Sequence, residues 1–260
     1  MELIDTHCHL TFEQLAGDID AVVERSRAAG VAGWITVGTD PQHNRKAVEL
    51  ANRFENMYAA VGIHPHDAKD VAPHTMAELK ELARSEKVVA LGETGLDFHY
   101  DFSPRQDQRR IFETQLQIAR ELNLPVIIHS REAFDETIDI LEQFIHLKGR
   151  LKNVVFHCFS GSARQARIVL DHGFYISFTG VVTFKNAEKT RQAAKIVPPD
   201  RLMLETDCPY MSPAPMRKQK INEPALMVHT ARYLAELKKV DPTDFARAIT
   251  AASKTFFGLP

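Results

Sequence analysis

Short apolar runs rich in β-branched residues recur along this chain, and amphipathic segments separate them. Alternating strand and helix patterns are typical of a parallel sheet that is covered by helices. The runs that predict strands are, in order, LIDTHCH, GWITVGT, MYAAVGIH, VVALGE, PVIIH, NVVFHC, FYISFTG and RLMLETD. Eight such units predict an α/β fold, a single (β/α)8 TIM-type barrel, with a doubly wound sheet as the alternative.

The segments between these runs carry helix signals. DIDAVVERSRAAG, PRQDQRRIFETQLQIARELN and SARQARIVLDHG place apolar residues at helical spacing, and they end at or near Gly or Asn. The tail PTDFARAITAASKTFFG predicts one extra C-terminal helix. No Ser/Pro-rich linker or low-complexity tract divides the 260 residues, so we expect a single hydrolase barrel domain over residues 1–260.

Composition excludes several classes of protein. The net charge of −2 argues against nonspecific binding of duplex nucleic acid, because such binding needs a clustered excess of Lys and Arg. No apolar run is long enough to cross a bilayer, and the first residues lack the pattern of a signal peptide. Cys8, Cys158 and Cys208 are too few and scattered for a disulfide framework, and we expect them to be small buried hydrophobes. These features predict a cytoplasmic location.

Potential metal ligands follow or end most of the predicted strands. In a (β/α)8 barrel the carboxyl ends of the strands form the active-site face. Any one of these residues is explained equally well or better as a structural residue, but their confinement to one face indicates a metal site. The set is His7, His9, His64, Glu93, His129, His157 and Asp207. Asp5, on the same strand face as His7 and His9, is expected to orient an imidazole ring.

The ligand types suggest how two divalent ions are held. A carboxylate can bridge two ions where an imidazole cannot, so Glu93 is predicted to bridge. His7, His9 and Asp207 would complete one site, and His129 and His157 the other. Such a centre supports hydrolysis by metal-bound hydroxide, with Asp207 taking the proton. The imidazoles favour zinc or manganese, while the carboxylates and phosphate oxygens accept magnesium during turnover.

Several motifs make the chain recognisable. The sequence resembles the TatD family of metal-dependent deoxyribonucleases, in the amidohydrolase-like superfamily. The matching motifs are DTHCHL, VGIHPHDA, GETGLDFHY, PVIIHSREA, FHCFSGS, SFTGVVTFKNA, LETDCPYMSP and NEPA. The resemblance implies the metal ligands His7, His9, Glu93, His129, His157 and Asp207. It also implies that His64 lies at the substrate, so that Asp207, Glu93 and His64 form the catalytic set.

Phosphate contacts are predicted beside this set. Arg131 is a candidate, with an ion pair to Glu132 or Asp135 as the alternative. Ser160 and Gly161 precede a helix whose free N–H groups could receive an anion, although Ser160 or Ser162 could simply cap that helix. The basic residues that follow the eighth strand are a further candidate, and they are Arg217, Lys218 and Lys220.

Two features leave alternatives open. The family usually has an Arg-Gly-Lys-Arg-like segment before Asn-Glu-Pro, whereas this chain reads MRKQKINEP, which bears on substrate preference. Asp97 either orients a ligand histidine or caps a turn.

The leading functional prediction is a two-metal deoxyribonuclease that trims DNA ends or single-stranded DNA. We expect a monomer with no obligate protein partner. The alternative is a metal-dependent hydrolase of another bond, such as a D-aminoacyl-tRNA ester, a small amide or a phosphotriester. A metal-binding scaffold without catalysis is disfavoured because no ligand of the set is missing.

Overall fold

The structure is a computed structural model that describes residues 1–100 and 102–260. The chain forms two compact units. The first unit contains residues 1–36 and 158–260, and the second contains residues 37–157. The expectation of a single domain over residues 1–260 stays a prediction.

All eight predicted strands are present. Their order in the sheet follows the chain, whereas a doubly wound sheet would reverse direction partway. This order confirms the α/β, (β/α)8 fold class. The strands are β1 (Leu3–Cys8), β2 (Val31–Val37), β3 (Met57–Val61), β4 (Val88–Asp97), β5 (Val126–Arg131), β6 (Val154–Phe156), β7 (Tyr175–Phe178) and β8 (Leu202–Leu204). The pairs β1–β2, β3–β4, β4–β5, β5–β6 and β7–β8 are parallel.

Helices separate the strands. The helices are α1 (Glu13–Ala16), α2 (Ile19–Ala29), α3 (Pro41–Arg53), α4 (Thr75–Leu82), α5 (Arg105–Leu122), α6 (Phe134–Lys148), α7 (Ala163–Asp171), α8 (Glu188–Ile196), α9 (Met227–Lys238) and α10 (Pro242–Phe257). Gly30 after α2 and Asn123 after α5 adopt the left-handed conformation that ends helices, as their positions in the sequence predicted. Helix α10 is the extra C-terminal helix. Across the described part of the chain, every helix is too short or too polar to span a bilayer.

The first unit pairs β1 with β2 and β7 with β8. The Thr6 hydroxyl donates to the carbonyl of Leu204 at 2.9 Å, which ties β1 to β8 within this unit. Helix α10 packs beside these strands through buried aromatic residues such as Phe245 and Phe256. The backbone amide of Asp207, which follows β8, donates to the carbonyl of His7 in β1 at 2.9 Å, so these two residues lie side by side in this unit.

The second unit contains β3 to β6, and its β4 is longer than predicted. We expected the fourth strand to end at Glu93, but it continues to Asp97. Gly92 and Gly95 make this possible, because both have positive φ angles of 145° and 142°. A Cβ atom at Gly95 would lie only 2.0 Å from the carbonyl oxygen of His129. The close approach therefore requires glycine and keeps the residues after Glu93 in the sheet.

Candidate metal centre

Three predicted ligands converge in the first unit. His7 lies in β1, His9 directly follows that strand, and Asp207 follows β8. The Nε2 atoms of His7 and His9 are 3.3 Å apart, and Oδ1 of Asp207 lies 3.3 Å from Nε2 of His9 and 3.8 Å from Nε2 of His7. All three residues are buried, so these polar atoms face one another with little access to bulk water.

This spacing fits a metal ion. Four tetrahedral ligands at about 2.1 Å from an ion are themselves separated by about 3.4 Å. The atoms of His7, His9 and Asp207 have nearly this separation. Two imidazole nitrogens and one carboxylate oxygen also form a donor set that suits zinc or manganese. The residues present therefore fit a divalent cation.

The segment that carries Asp207 is held by its neighbours. Asp5 accepts hydrogen bonds from the Thr206 amide at 2.9 Å and from the Thr206 hydroxyl at 2.6 Å. The side-chain amide of Asn222 donates to the carbonyls of Thr206 and Tyr210 at 3.0 and 2.7 Å. These contacts hold Asp207 in its left-handed conformation, with φ of 51°.

Asp5 corrects one prediction. We expected its carboxylate to orient an imidazole, but it bonds to Thr206 and to the backbone amide of His7. The reason is that Thr206 offers both a hydroxyl and an amide to the same carboxylate. Burial raises the pKa of Asp5 to about 7, although the bonds from Thr206 oppose this shift.

In the second unit, the predicted ligands gather around one oxygen of Glu93. Oε1 of Glu93 lies 2.7 Å from Nδ1 of His129 and 2.7 Å from Nε2 of His157. These two nitrogens are 3.3 Å apart. Nε2 of His64 lies 3.5 Å from the same oxygen. Glu93, His129 and His157 therefore offer a second compact donor set of two imidazoles and a carboxylate.

The sequence left open whether Asp97 orients a histidine or caps a turn, and its carboxylate makes both kinds of contact. Its Oδ2 accepts from Nε2 of His129 at 3.1 Å and from Nε2 of His66 at 2.9 Å. Its Oδ1 accepts from the backbone amides of His99 and Tyr100. Asp97 therefore orients the candidate ligand His129 and caps the turn after β4.

The charges in this group reinforce one another. Burial would raise the pKa of Asp97, but hydrogen bonds from His129, His66 and the Tyr100 amide outweigh it and hold the pKa well below its usual range. Burial likewise disfavours charge on His129, yet the bonds to Asp97 and Glu93 raise its pKa. In the neutral ring, with Nε2 of His129 donating to Asp97, Nδ1 carries the lone pair that a metal ligand needs, so a metal ion would take the place of the proton that the charged ring holds against Glu93.

His64 differs from the other histidines of the set. Its Nδ1 accepts a hydrogen bond from the backbone amide of His66 at 3.1 Å. In the neutral ring the proton then lies on Nε2, which leaves that atom a donor rather than a ligand. Burial lowers the pKa of His64 to about 4, so the ring is neutral near pH 7. This geometry is consistent with the predicted role of His64 at the substrate, which stays a prediction.

Arg131 lies at the end of β5, and its guanidinium carbon is 4.6 Å from the ring centroid of Tyr100. Among the described residues Arg131 forms no ion pair with Glu132 or Asp135, and Glu132 instead contacts Nδ1 of His99 at 2.7 Å. Arg131 is exposed, so its charge stays accessible. Its contact with phosphate stays a prediction.

The helix after FSGS has its own cap. Ser162 accepts from the Gln165 amide, and Gln165 accepts from the Ser162 amide, which forms a capping box. Ser162 rather than Ser160 is therefore the cap of α7. Ser160 is exposed and Gly161 half-buried. Their role in binding an anion stays a prediction.

The basic loop after β8, defined by Arg217, Lys218 and Lys220, is exposed. Arg217 stacks on the ring of Phe184, with its guanidinium carbon 3.6 Å from the centroid, and donates to the carbonyl of Ser212 at 3.3 Å. Arg217 therefore fixes the loop itself. The two lysines carry the more available charges of this cluster.

The cysteines follow the prediction in two cases of three. Cys8 and Cys208 are fully buried, whereas Cys158 is half-buried. Cys158 follows β6 and has a φ angle of 46°, so it lies outside the regular strand.

Two supporting residues escaped the sequence reasoning. His66 bonds to Asp97, and its signal was the second histidine of the HPH motif. Glu205 is buried and accepts from the Cys158 amide at 2.5 Å and the Ser177 hydroxyl at 2.6 Å. Its signal was a charged residue directly after the apolar run of β8.

The fold and these donor sets define a class: (β/α)8 barrels that carry histidine and carboxylate metal ligands at the carboxyl ends of their strands. The model of the TatD related DNase family matches residues 4–258. The chain belongs to this family.

Individual relatives match over nearly their whole length. The uncharacterized metal-dependent hydrolase YabD of Bacillus subtilis (strain 168) is 42% identical over 255 residues, covering 98% of this chain and 98% of that protein. The 3'-5' ssDNA/RNA exonuclease TatD of Salmonella typhimurium is 36% identical over 259 residues, covering 98% of each chain. The crystal structure of YJJV, a TatD homolog from Escherichia coli K12, has a TM-score of 0.93 and 32% identity, covering 99% of this chain and 98% of that one.

Proposed function

We propose that this chain is a divalent-metal-dependent phosphodiesterase that shortens single-stranded DNA from an end. The observation that carries the proposal is the convergence of His7, His9 and Asp207 at the mutual spacing of ligands around one ion. Glu93, His129 and His157 supply a second donor set, so we assign one ion to each set.

Each side chain has a definite task in this proposal. A divalent ion supplies Lewis acidity and lowers the pKa of bound water to about 7. Asp207 accepts the proton of the attacking water and passes it to the leaving oxygen. The neutral His64 donates its Nε2 hydrogen to a phosphate oxygen, which its tautomer allows. Zinc or manganese suits the imidazoles, and magnesium is an alternative during turnover.

The action on strand ends has separate support. The relative from Salmonella typhimurium is named as an exonuclease of single-stranded DNA and RNA. The net charge of −2 also disfavours a broad electrostatic grip on long duplex DNA. A near-neutral protein with a few exposed basic residues is better suited to holding a few phosphates than a long duplex.

The test begins with metal analysis of the purified protein. Hydrolysis is then measured with zinc, manganese or magnesium restored, on single-stranded DNA, RNA, aminoacyl-tRNA, a small amide and a phosphotriester. We expect a 5′-labelled DNA strand to shorten progressively, with slower or no turnover of the other bonds. Cleavage of an ester, amide or phosphotriester without cleavage of DNA would overturn the proposal in favour of another hydrolase. Absence of hydrolysis with every metal would favour a binding scaffold.

A further inference from the structure

Two aromatic rings are exposed directly after β4. Tyr100 is 39% exposed and Phe102 is 55% exposed. Their rings are nearly parallel, with an interplanar angle of 8° and centroids 5.2 Å apart. We call this pair the aromatic platform. Two rings stacked in parallel leave a flat apolar face on which a further planar group can stack.

His66 packs against both rings of the platform. His66 meets Tyr100 edge-on at 5.5 Å and Phe102 edge-on at 4.8 Å between centroids. Nε2 of His66 bonds to Asp97, which also accepts from the Tyr100 amide. The same Asp97 orients the candidate ligand His129. One buried carboxylate therefore connects the platform to a candidate metal ligand within the second unit.

A positive charge adjoins the platform. The guanidinium carbon of Arg131 is 4.6 Å from the Tyr100 centroid, and the side chain is exposed. A guanidinium on an aromatic ring keeps its N–H groups available around its edge, where phosphate oxygens can accept them. A flat apolar surface beside a cation matches the two parts of a nucleotide, a planar base and a charged phosphate.

We propose that the aromatic platform stacks an unpaired base of a nucleic acid strand while Arg131 contacts an adjoining phosphate. The proposal deepens the function proposed above and rests on it. Aromatic rings bind the π-face of any base, so the platform should accept different sequences. Bases inside a duplex are already stacked on their neighbours, and the platform therefore selects single strands and frayed ends.

The test uses a short single strand that contains 2-aminopurine, whose fluorescence falls when it stacks on an aromatic ring. Metal-loaded protein is mixed rapidly with the strand, and both affinity and quenching are read before cleavage. A second strand of equal length carries tetrahydrofuran abasic sites, which keep the phosphates but remove the bases. We expect Phe102→Leu to weaken binding of the first strand about tenfold. The abasic strand should bind wild type and variant within about twofold of each other, since its phosphate contacts are unchanged.

Two further variants sharpen the comparison. Phe102→Tyr keeps an aromatic ring and should restore both affinity and quenching. Leu147→Ala removes another exposed apolar side chain of the same unit, which is 73% exposed, and should leave both readings as in wild type. Equal thermal stability and metal content in all variants exclude a folding effect.

The outcomes separate this inference from the proposed function. Equal binding and quenching in wild type and Phe102→Leu, with cleavage of the strand intact, would overturn the platform and leave the function standing. If the wild type quenched the 2-aminopurine strand, Phe102→Leu did not, and the wild type cleaved nothing with any metal, the platform would be supported and the phosphodiesterase proposal overturned. Absence of both binding and cleavage of single strands would overturn both.

Discussion

Asp97 accepts a hydrogen bond from Nε2 of His129 at 3.1 Å. The other oxygen of the same carboxylate accepts hydrogen bonds from the backbone amides of His99 and Tyr100. A fixed backbone turn therefore holds the carboxylate, and the carboxylate in turn holds the imidazole. The orientation of His129 is therefore fixed by hydrogen bonds within the protein, which would reduce the entropy lost if its Nδ1 bound a metal ion.

Asp97→Asn should weaken metal binding by about 10- to 100-fold, because the neutral amide polarises the ring of His129 less and fixes its tautomer poorly. The measurement is competition for zinc against a chromophoric chelator, followed by counting of bound ions. Glu113→Gln makes the same chemical change at an exposed position of α5 and should leave affinity unchanged. Equal affinities in the wild type and Asp97→Asn would contradict the role assigned to this carboxylate.

Glu93→Gln should reduce metal content, because Oε1 of Glu93 lies 2.7 Å from a ring nitrogen of both His129 and His157. An amide oxygen carries no net charge and binds cations poorly. Metal analysis by mass spectrometry distinguishes two cases. Loss of one ion per chain indicates a ligand of a single site, and loss of both supports the predicted bridging role. Retention of all metal and full activity would show that Glu93 is not a ligand.

Asp207→Asn should damage turnover more than metal occupancy, since His7 and His9 remain while the proton acceptor is lost. A decrease in kcat of roughly a hundredfold or more is expected for removal of a general base. The variant is compared with wild type for metal content and for kcat on the same labelled strand. Unchanged turnover with depleted metal would instead make Asp207 a ligand alone.

The sequence predicted the strands and most of the donor sets because both follow from local patterns. Alternation and apolar runs place His7, His129 and His157 at or near strand ends, and the parallel order of the strands brings each group to the same side of its unit. The predicted end of β4 at Glu93 was wrong, because Gly92 and Gly95 are residues that a sequence pattern associates with a turn. In the structure these glycines allow the strand to pass closely over its neighbour.

Longer-range hydrogen bonds could not be predicted in the same way. Asp5 bonds to Thr206, 201 residues away in the sequence, and no local pattern indicates that pairing. Asp97 showed two possible roles because the choice depended on where His66 and His129 lie in space. The platform also depended on the fold, since Tyr100 and Phe102 are adjacent in sequence to polar residues and gave no apolar periodicity.

The basic loop supplies the last prediction, which concerns how much of a strand the protein holds. Arg217 stacks on Phe184, so its removal would disturb the loop as well as the charge. Lys218 and Lys220 are exposed and can be replaced together by Ala. If each contacts one phosphate of a single strand, the log-log dependence of binding on salt should become shallower by about 1.4. Lys189→Ala with Lys195→Ala removes two exposed charges of α8 and should leave that slope unchanged.

The same variant tests the choice of substrate. Closed circular duplex DNA and a linear strand labelled at one end are compared under identical metal and salt. Wild-type protein should shorten the strand and nick the circle slowly, because a few phosphate contacts cannot replace the extended basic surface that holds a duplex. The lysine variant should lose affinity for the strand most strongly at low salt, where released counterions contribute most. Rapid nicking of the circle with little trimming of the strand would contradict end-directed action. If the salt dependence of binding were the same in the variant and the wild type, Lys218 and Lys220 would not contact phosphates of the strand.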